Sequence, residues 1–141
     1  MSRSLIPTGL ATALAAAALI ALAAVPAGGA TKVGFPSKCG KPTFKPTSIV
    51  VACGDGNNRL KSIKWQSYGT DAASGSATAQ VNDCTPNCAS GKFKNYPAVV
   101  TLTKAKNCGK GVTQFTKLRE TFTGSRPKGT NKTVVETFAC S

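Results

Sequence analysis

The sequence predicts an all-β domain: a small antiparallel β-sandwich or barrel of about six strands, stabilised by disulfides. Three observations lead there. Short β-branched runs alternate apolar and polar residues, tight-turn residues separate these runs, and six cysteines follow an export leader. No segment shows helical periodicity of useful length.

Taken in order, Ser48–Cys53 is a β-branched run, ended at Gly54–Asn57 by Gly-Asp-Gly-Asn, residues that favour a tight turn. Leu60–Tyr68 alternates, with Ile63 and Trp65 on one face and Lys64 and Gln66 on the other. Gly75–Asn82 alternates again. Ala77, Ala79 and Val81 form its small inner face, which leaves room for Trp65 from the neighbouring strand. Ala98–Thr103 turns Val100 and Leu102 inward. Thr113–Thr123 and Lys132–Cys140 complete the set. Phe115 and Leu118 have opposite parity, so a bulge or twist is expected between them.

The first 30 residues read as a secretory signal peptide. Arg3 stands in a short basic start, Leu10–Val25 is free of charge, and Pro26–Ala30 is a small-residue exit. An apolar stretch of 16 residues falls short of the roughly 20 that span a bilayer. Cleavage is expected after Ala27 or Ala30. No cysteine directly follows the apolar stretch, which argues against a lipoprotein anchor, and the single Arg3 argues against twin-arginine export. Residues 31–141 then form one secreted, disulfide-rich domain, with no membrane association after cleavage. Losing Arg3 lowers the net charge from +13 to +12.

A domain this short buries a modest core, and cross-links are a common remedy. Cys39, Cys53, Cys84, Cys88, Cys108 and Cys140 make an even count, which in an exported chain reads as three disulfides. Cys84 and Cys88 are read as a local bridge closing a five-residue loop. A redox pair usually takes Cys-x-x-Cys spacing at a helix start, and this pair has one more residue between its members. The pairing of the other four stays open at three alternatives. The sequence contains no histidine, so catalytic groups and zinc sites that need imidazole are ruled out. Neither a metal nor a cofactor is expected.

The string SIVVACGDGN, then Trp65, then NDCTPNCASGKFKNYP, resembles a family of small secreted actinobacterial proteins. Its members carry an ACxDGN turn and an NDCTPNCxxGxFxxYP motif, and the resemblance covers roughly Cys39–Cys140. It implies export, oxidised cysteines and an actinobacterial source, and it implies no chemistry. Members often carry histidines where this chain has Lys92 and Lys94.

Function is read from charge. The acidic residues are Asp55, Asp71, Asp83, Glu120 and Glu136. Glu120 and Glu136 fall on adjacent predicted strands, so a small secreted hydrolase using both carboxylates is one alternative. The ordinary expectation for each is an outward strand residue paired with a lysine. Asp55 is explained by its turn, and Arg59 occupies a position where a calcium loop wants an oxygen ligand. Basic residues gather in predicted loops: Lys92 and Lys94; Lys104, Lys106 and Lys110; Arg126, Lys128 and Lys132.

In a meander, alternate loops share an end of the sheet. That predicts a basic-aromatic patch of Lys92, Phe93, Lys94, Tyr96, Arg126, Lys128 and Lys132. The expected partner is an anionic polysaccharide, a cell-wall polymer or an acidic protein. Export makes nucleic acid an unexpected physiological target. A further alternative is a protease inhibitor, with Lys92 or Lys94 presented to a trypsin-like pocket.

Overall fold

The computed structural model describes Gly29 and residues 31–141, so the signal-peptide segment, Gly29 apart, lies outside the described residues. There is no helix among the described residues. The chain forms one curled, half-barrel sheet of seven strands: β1 (Val33–Gly34), β2 (Ile49–Val50), β3 (Asn58–Tyr68), β4 (Ala72–Asn82), β5 (Phe93–Asn107), β6 (Thr113–Phe122) and β7 (Thr133–Thr137). The spatial order is β1-β6-β5-β4-β3-β2, and β7 also pairs with β6. Every pairing is antiparallel except β1 with β6, where Val33 lies opposite Thr113.

Strands β3 to β6 form a meander of long ladders. A short turn joins β3 to β4, closed by the Gly69 amide donating to the Ala72 carbonyl at 2.9 Å. The turn from β5 to β6 places Gly109, Lys110 and Gly111 in succession at positive φ. β5 is much longer than Ala98–Thr103, because it pairs with β4 along Phe93–Thr103 and with β6 along Ala98–Asn107. This corrects the sequence reading. Phe93, Lys94, Tyr96, Lys104 and Lys106 are strand residues, not loop residues.

The concave face buries Leu60, Ile63, Ala73, Ala79, Ala98, Val100, Leu102, Phe115, Leu118 and Phe122. Val33, Phe35, Ile49 and Val51 cover them from the segment that crosses the open side. Leu60 and Ile63 differ in parity, yet both are buried. A bulge explains this: Ser62 takes φ 52°, and the β3–β4 register slips between Lys61 and Lys64. A second slip between Trp65 and Ser67 lets Tyr68 join Trp65 on the same side.

Between Phe115 and Leu118 the β5–β6 register does not slip, so the bulge offered as one alternative is not formed, but the ladder is interrupted. Pairing skips Lys104 and Thr116, Lys104 takes φ 60°, and the Thr116 hydroxyl donates to the Lys104 carbonyl at 2.8 Å. Trp65 lies directly opposite Gly75, where an added Cβ would sit 3.1 Å from the indole. The room for the ring therefore comes from Gly75 and not from Ala77, Ala79 and Val81, of which Ala79 and Val81 lie opposite Leu60 and Asn58. The indole N–H donates to the Pro46 carbonyl at 2.9 Å.

All six cysteines are oxidised. The local bridge Cys84–Cys88 is present, and the other four pair as Cys39–Cys53 and Cys108–Cys140. Cys39–Cys53 ties the crossing segment to the turn after β2. Cys108–Cys140 ties the residues after β7 to the β5–β6 turn. Three disulfides are compatible with an oxidising environment.

Candidate functional site

The motif Asn82–Cys88 builds a loop whose polar side chains are mostly occupied by its own backbone. Asn82, nearly buried, donates from Nδ2 to Asn57 Oδ1 at 2.9 Å and to the Cys88 carbonyl at 2.7 Å. Its Oδ1 accepts from the Cys84 amide at 3.0 Å. Asp83 Oδ1 accepts from the amides of Lys92 at 2.9 Å and Thr85 at 3.1 Å, while Asn87 Oδ1 accepts from the Ser90 amide. The backbone bonds from Lys92 and Thr85 hold the Asp83 carboxyl below its ordinary value. Gly91 is required for a close approach: a Cβ there would collide with Asn82 Oδ1 and come within 2.9 Å of Cys84 backbone atoms. The sequence showed the staple. It did not show Asn82 as the hub, because a strand-end asparagine reads as ordinary turn chemistry.

The structure places the expected patch residues at one end of the sheet but divides them between its faces. Successive strand side chains point to opposite sides. Tyr96 shares the concave side with Ala98 and Val100, and its ring meets Phe122 edge-on at 6.0 Å. Lys94 has the same parity and pairs with Asp83 at 3.2 Å. Phe93 points to the convex side, 41 % exposed, with the Arg59 guanidinium 4.4 Å from its ring centre.

Lys92 is exposed just before β5, and its amide and carbonyl both bond to Asp83. Arg126, Lys128 and Lys132 lie in the β6–β7 connection, which the meander returns to that same end. Arg126 Nε donates to the Thr130 carbonyl at 3.0 Å. No hydrogen bond or ion pair joins the two loops among the described residues.

A second cationic-aromatic cluster, absent from the sequence reading, sits at the opposite end of β3. Phe44, 44 % exposed, meets Tyr68 edge-on at 5.2 Å, and Tyr68 meets Trp65 at 4.9 Å. Lys45 and Lys32 approach the Phe44 ring at 5.5 and 5.8 Å. The signal was there as Phe44-Lys45-Pro46, but only the fold brings Tyr68 to it.

Glu120 corrects another expectation. It does not face outward to a lysine; it is fully buried on the concave face. Its Oε2 accepts from Asn58 Nδ2 at 2.7 Å, while its Oε1 and Asn58 Oδ1 are both buried without a partner. Burial pushes the Glu120 carboxyl above its ordinary value, the Asn58 bond pulls it down, and the nearby Glu136 charge pushes it further up. Glu136 is exposed on β7, diagonal to Glu120 across the β6–β7 ladder. The two carboxylates are neighbours, but only Glu136 lines the cleft of about 780 Å³ beside β7. Asp55 also lines this cleft; its Oδ1 accepts from the Asn57 amide at 2.9 Å, which lowers its pKa.

No protein-family model, curated protein or solved structure matches this chain.

Proposed function

We propose that the chain is a secreted, non-enzymatic binding protein that presents a basic-aromatic surface to an anionic extracellular or cell-wall polymer. One observation carries the reading. Both exposed phenylalanines among the described residues hold cations against their rings, Arg59 at Phe93 and the Lys32–Lys45 pair at Phe44. Such pairs offer a flat apolar surface beside fixed positive charge, which suits sugar rings bearing anionic groups. Lys92, Arg126, Lys128 and Lys132 add charge at the Phe93 end. Lys94 adds less, since Asp83 offsets it. Export rests on the leader and the three disulfides, and the actinobacterial source rests on the motif resemblance alone.

The other two readings draw less support. A reactive loop presents its main chain to a protease, whereas the amide and carbonyl of Lys92 are bonded to Asp83 and Lys94 lies within β5. A hydrolase using Glu120 and Glu136 needs both carboxylates at one accessible surface, and Glu120 has none exposed.

The test is binding to a heparin-like polysaccharide and to a teichoic-acid-like polymer across a salt series. Wild type is expected to bind both and to weaken steadily as salt screens the charges. Replacing Arg59 and Phe93 together by alanine is expected to weaken binding at every salt concentration. Equal binding by this variant and wild type would reduce the surface to a solubilising one.

A further inference from the structure

The curl of the sheet brings its two margins to one cleft of about 780 Å³. Glu136–Ser141, the end of β7 and the residues after it, form part of its wall, and Val51–Asp55, just past β2, form another part together with Pro36 and Cys39. That volume lies within the roughly 300–1,000 Å³ of sites that enclose a ligand. Its walls are fixed by Cys39–Cys53 and Cys108–Cys140, so little ordering is left to accompany binding.

The outer edge of β7 has no strand partner among the described residues. Two bonds set the phase of its ladder: the Phe122 amide donates to the Lys132 carbonyl, and the Phe138 amide donates to the Thr116 carbonyl. Lys132, Val134, Glu136 and Phe138 therefore turn their backbone groups toward β6. Thr133, Val135 and Thr137 turn theirs outward. The edge is β-branched, with Val135 44 % exposed, and such an edge is a ready template for another strand.

Charge selects the occupant. Asp55 and Glu136 line the cleft and no lysine or arginine does, although the chain has 18 basic residues against 5 acidic ones. A second copy of the chain suits the slot less well. Its own β7 arrives joined to β6, and Val51–Asp55 form the facing wall of the cleft.

We propose that this cleft binds an extended peptide bearing lysine or arginine side chains, which adds a strand to β7 and extends the sheet toward Val51–Asp55. The peptide's backbone pairs with Thr137, the outward edge residue that lines the cleft, and continues along the edge to Val135, while its cationic side chains meet Glu136 and Asp55. This site is separate from the polyanion surface and does not depend on it.

Amide hydrogen exchange on the disulfide-bonded protein tests the proposal, with a blocked pentapeptide alternating lysine and valine as the probe. The amides of Val135 and Thr137 are expected to slow by about tenfold or more on saturation, as newly formed bonds close them. The amides of Val134 and Glu136, already bonded to β6, are expected to change little. Glu136→Gln combined with Asp55→Asn is expected to weaken the peptide several-fold while leaving near-ultraviolet dichroism unchanged. Three results would overturn the proposal: no slowing at Val135 and Thr137, equal slowing by a glutamate–valine peptide, or slowing that grows with protein concentration when no peptide is present. The last of these would make a second copy the occupant.

Discussion

The centre and the margins of this sheet are held by different means. β3, β4, β5 and β6 pair along ladders of eight to eleven aligned residues, and no cysteine lies within these strands. At the margins, β1 and β2 are two residues each and β7 is five. Cys39, Cys53 and Cys140 stand beside these margins, Cys108 in the β5–β6 turn to which Cys140 is tied, and Cys84 and Cys88 in the loop beyond β4. A two-residue strand gains too few bonds and too little buried area to hold its own position, and a covalent bridge supplies what the ladder lacks. The surfaces proposed here for binding also lie away from the ladder interiors: Phe44 on the crossing segment, Phe93 at the start of β5, and the cleft at β7.

The difference predicts a graded response to removing bridges. Cys108–Cys140 closes the longest loop, a sequence separation of 32, and by chain entropy contributes just under about 4 kcal/mol. Replacing both residues by alanine is expected to give the largest loss in denaturant unfolding and to loosen β7 first. Cys39–Cys53, with a separation of 14, is expected to cost about 3 kcal/mol. A larger loss from Cys39–Cys53 than from Cys108–Cys140 would break this ordering.

Glu120 sharpens the comparison from the side of the core. Its carboxyl is raised above the ordinary value near 4.5, chiefly by burial, so the folded state favours the protonated form. Its contribution is therefore complete below about pH 4.5 and declines as pH rises through the raised value. A proton on Glu120 also supplies a donor where Glu120 Oε1 and Asn58 Oδ1 both lack one. Glu120→Gln is expected to raise stability at neutral pH and to flatten this decline. Asp55 and Asp83 act in the opposite sense, since lowered values stabilise above the ordinary 3.8 and that contribution is lost as pH falls. Unfolding curves from about pH 4 to about pH 8 check this. A variant that falls in parallel with wild type would show that Glu120 ionises in the fold without cost.

The smallest stability effect is expected at Cys84–Cys88. This five-residue loop contributes about 2 kcal/mol by chain entropy. Gly91→Ala is expected to disturb the same loop by pushing on Asn82, leaving the central ladders intact. Both variants are expected to alter polyanion binding near Phe93 more than they alter the unfolding midpoint.

The central strands were legible because their alternation is regular: Val100 and Leu102, or Ala77 and Ala79, announce one face by spacing alone. The bulges at Ser62 and Gln66 were not legible. Leu60 and Ile63 reach the same face only because the partner register slips, and register is a property of two strands together. Phe93–Pro97 read as loop because its lysines and proline weaken the apolar pattern. Its pairing with β4 outweighs that composition, since the ladder bonds do not depend on side-chain polarity. For the expected patch, the shared end of the sheet was readable from the order of strands and loops. The face each one takes was not, because a strand start displaced by a few residues changes which side every side chain occupies. Phe44, Tyr68 and Arg59 were missed for a related reason: their contacts join segments distant in sequence.

The central claim is that the ladders hold the body of the sheet while the bridges hold its margins. Native-state hydrogen exchange on a variant with Cys108 and Cys140 both replaced by alanine tests this most directly. The account predicts that amides of Val134 and Glu136 in β7 lose most of their protection, while those of Val100, Leu102 and Ala79 keep theirs relative to the variant's own global stability. A uniform loss across β4, β5 and β7 would contradict it, showing one cooperative unit with no distinction between centre and margin.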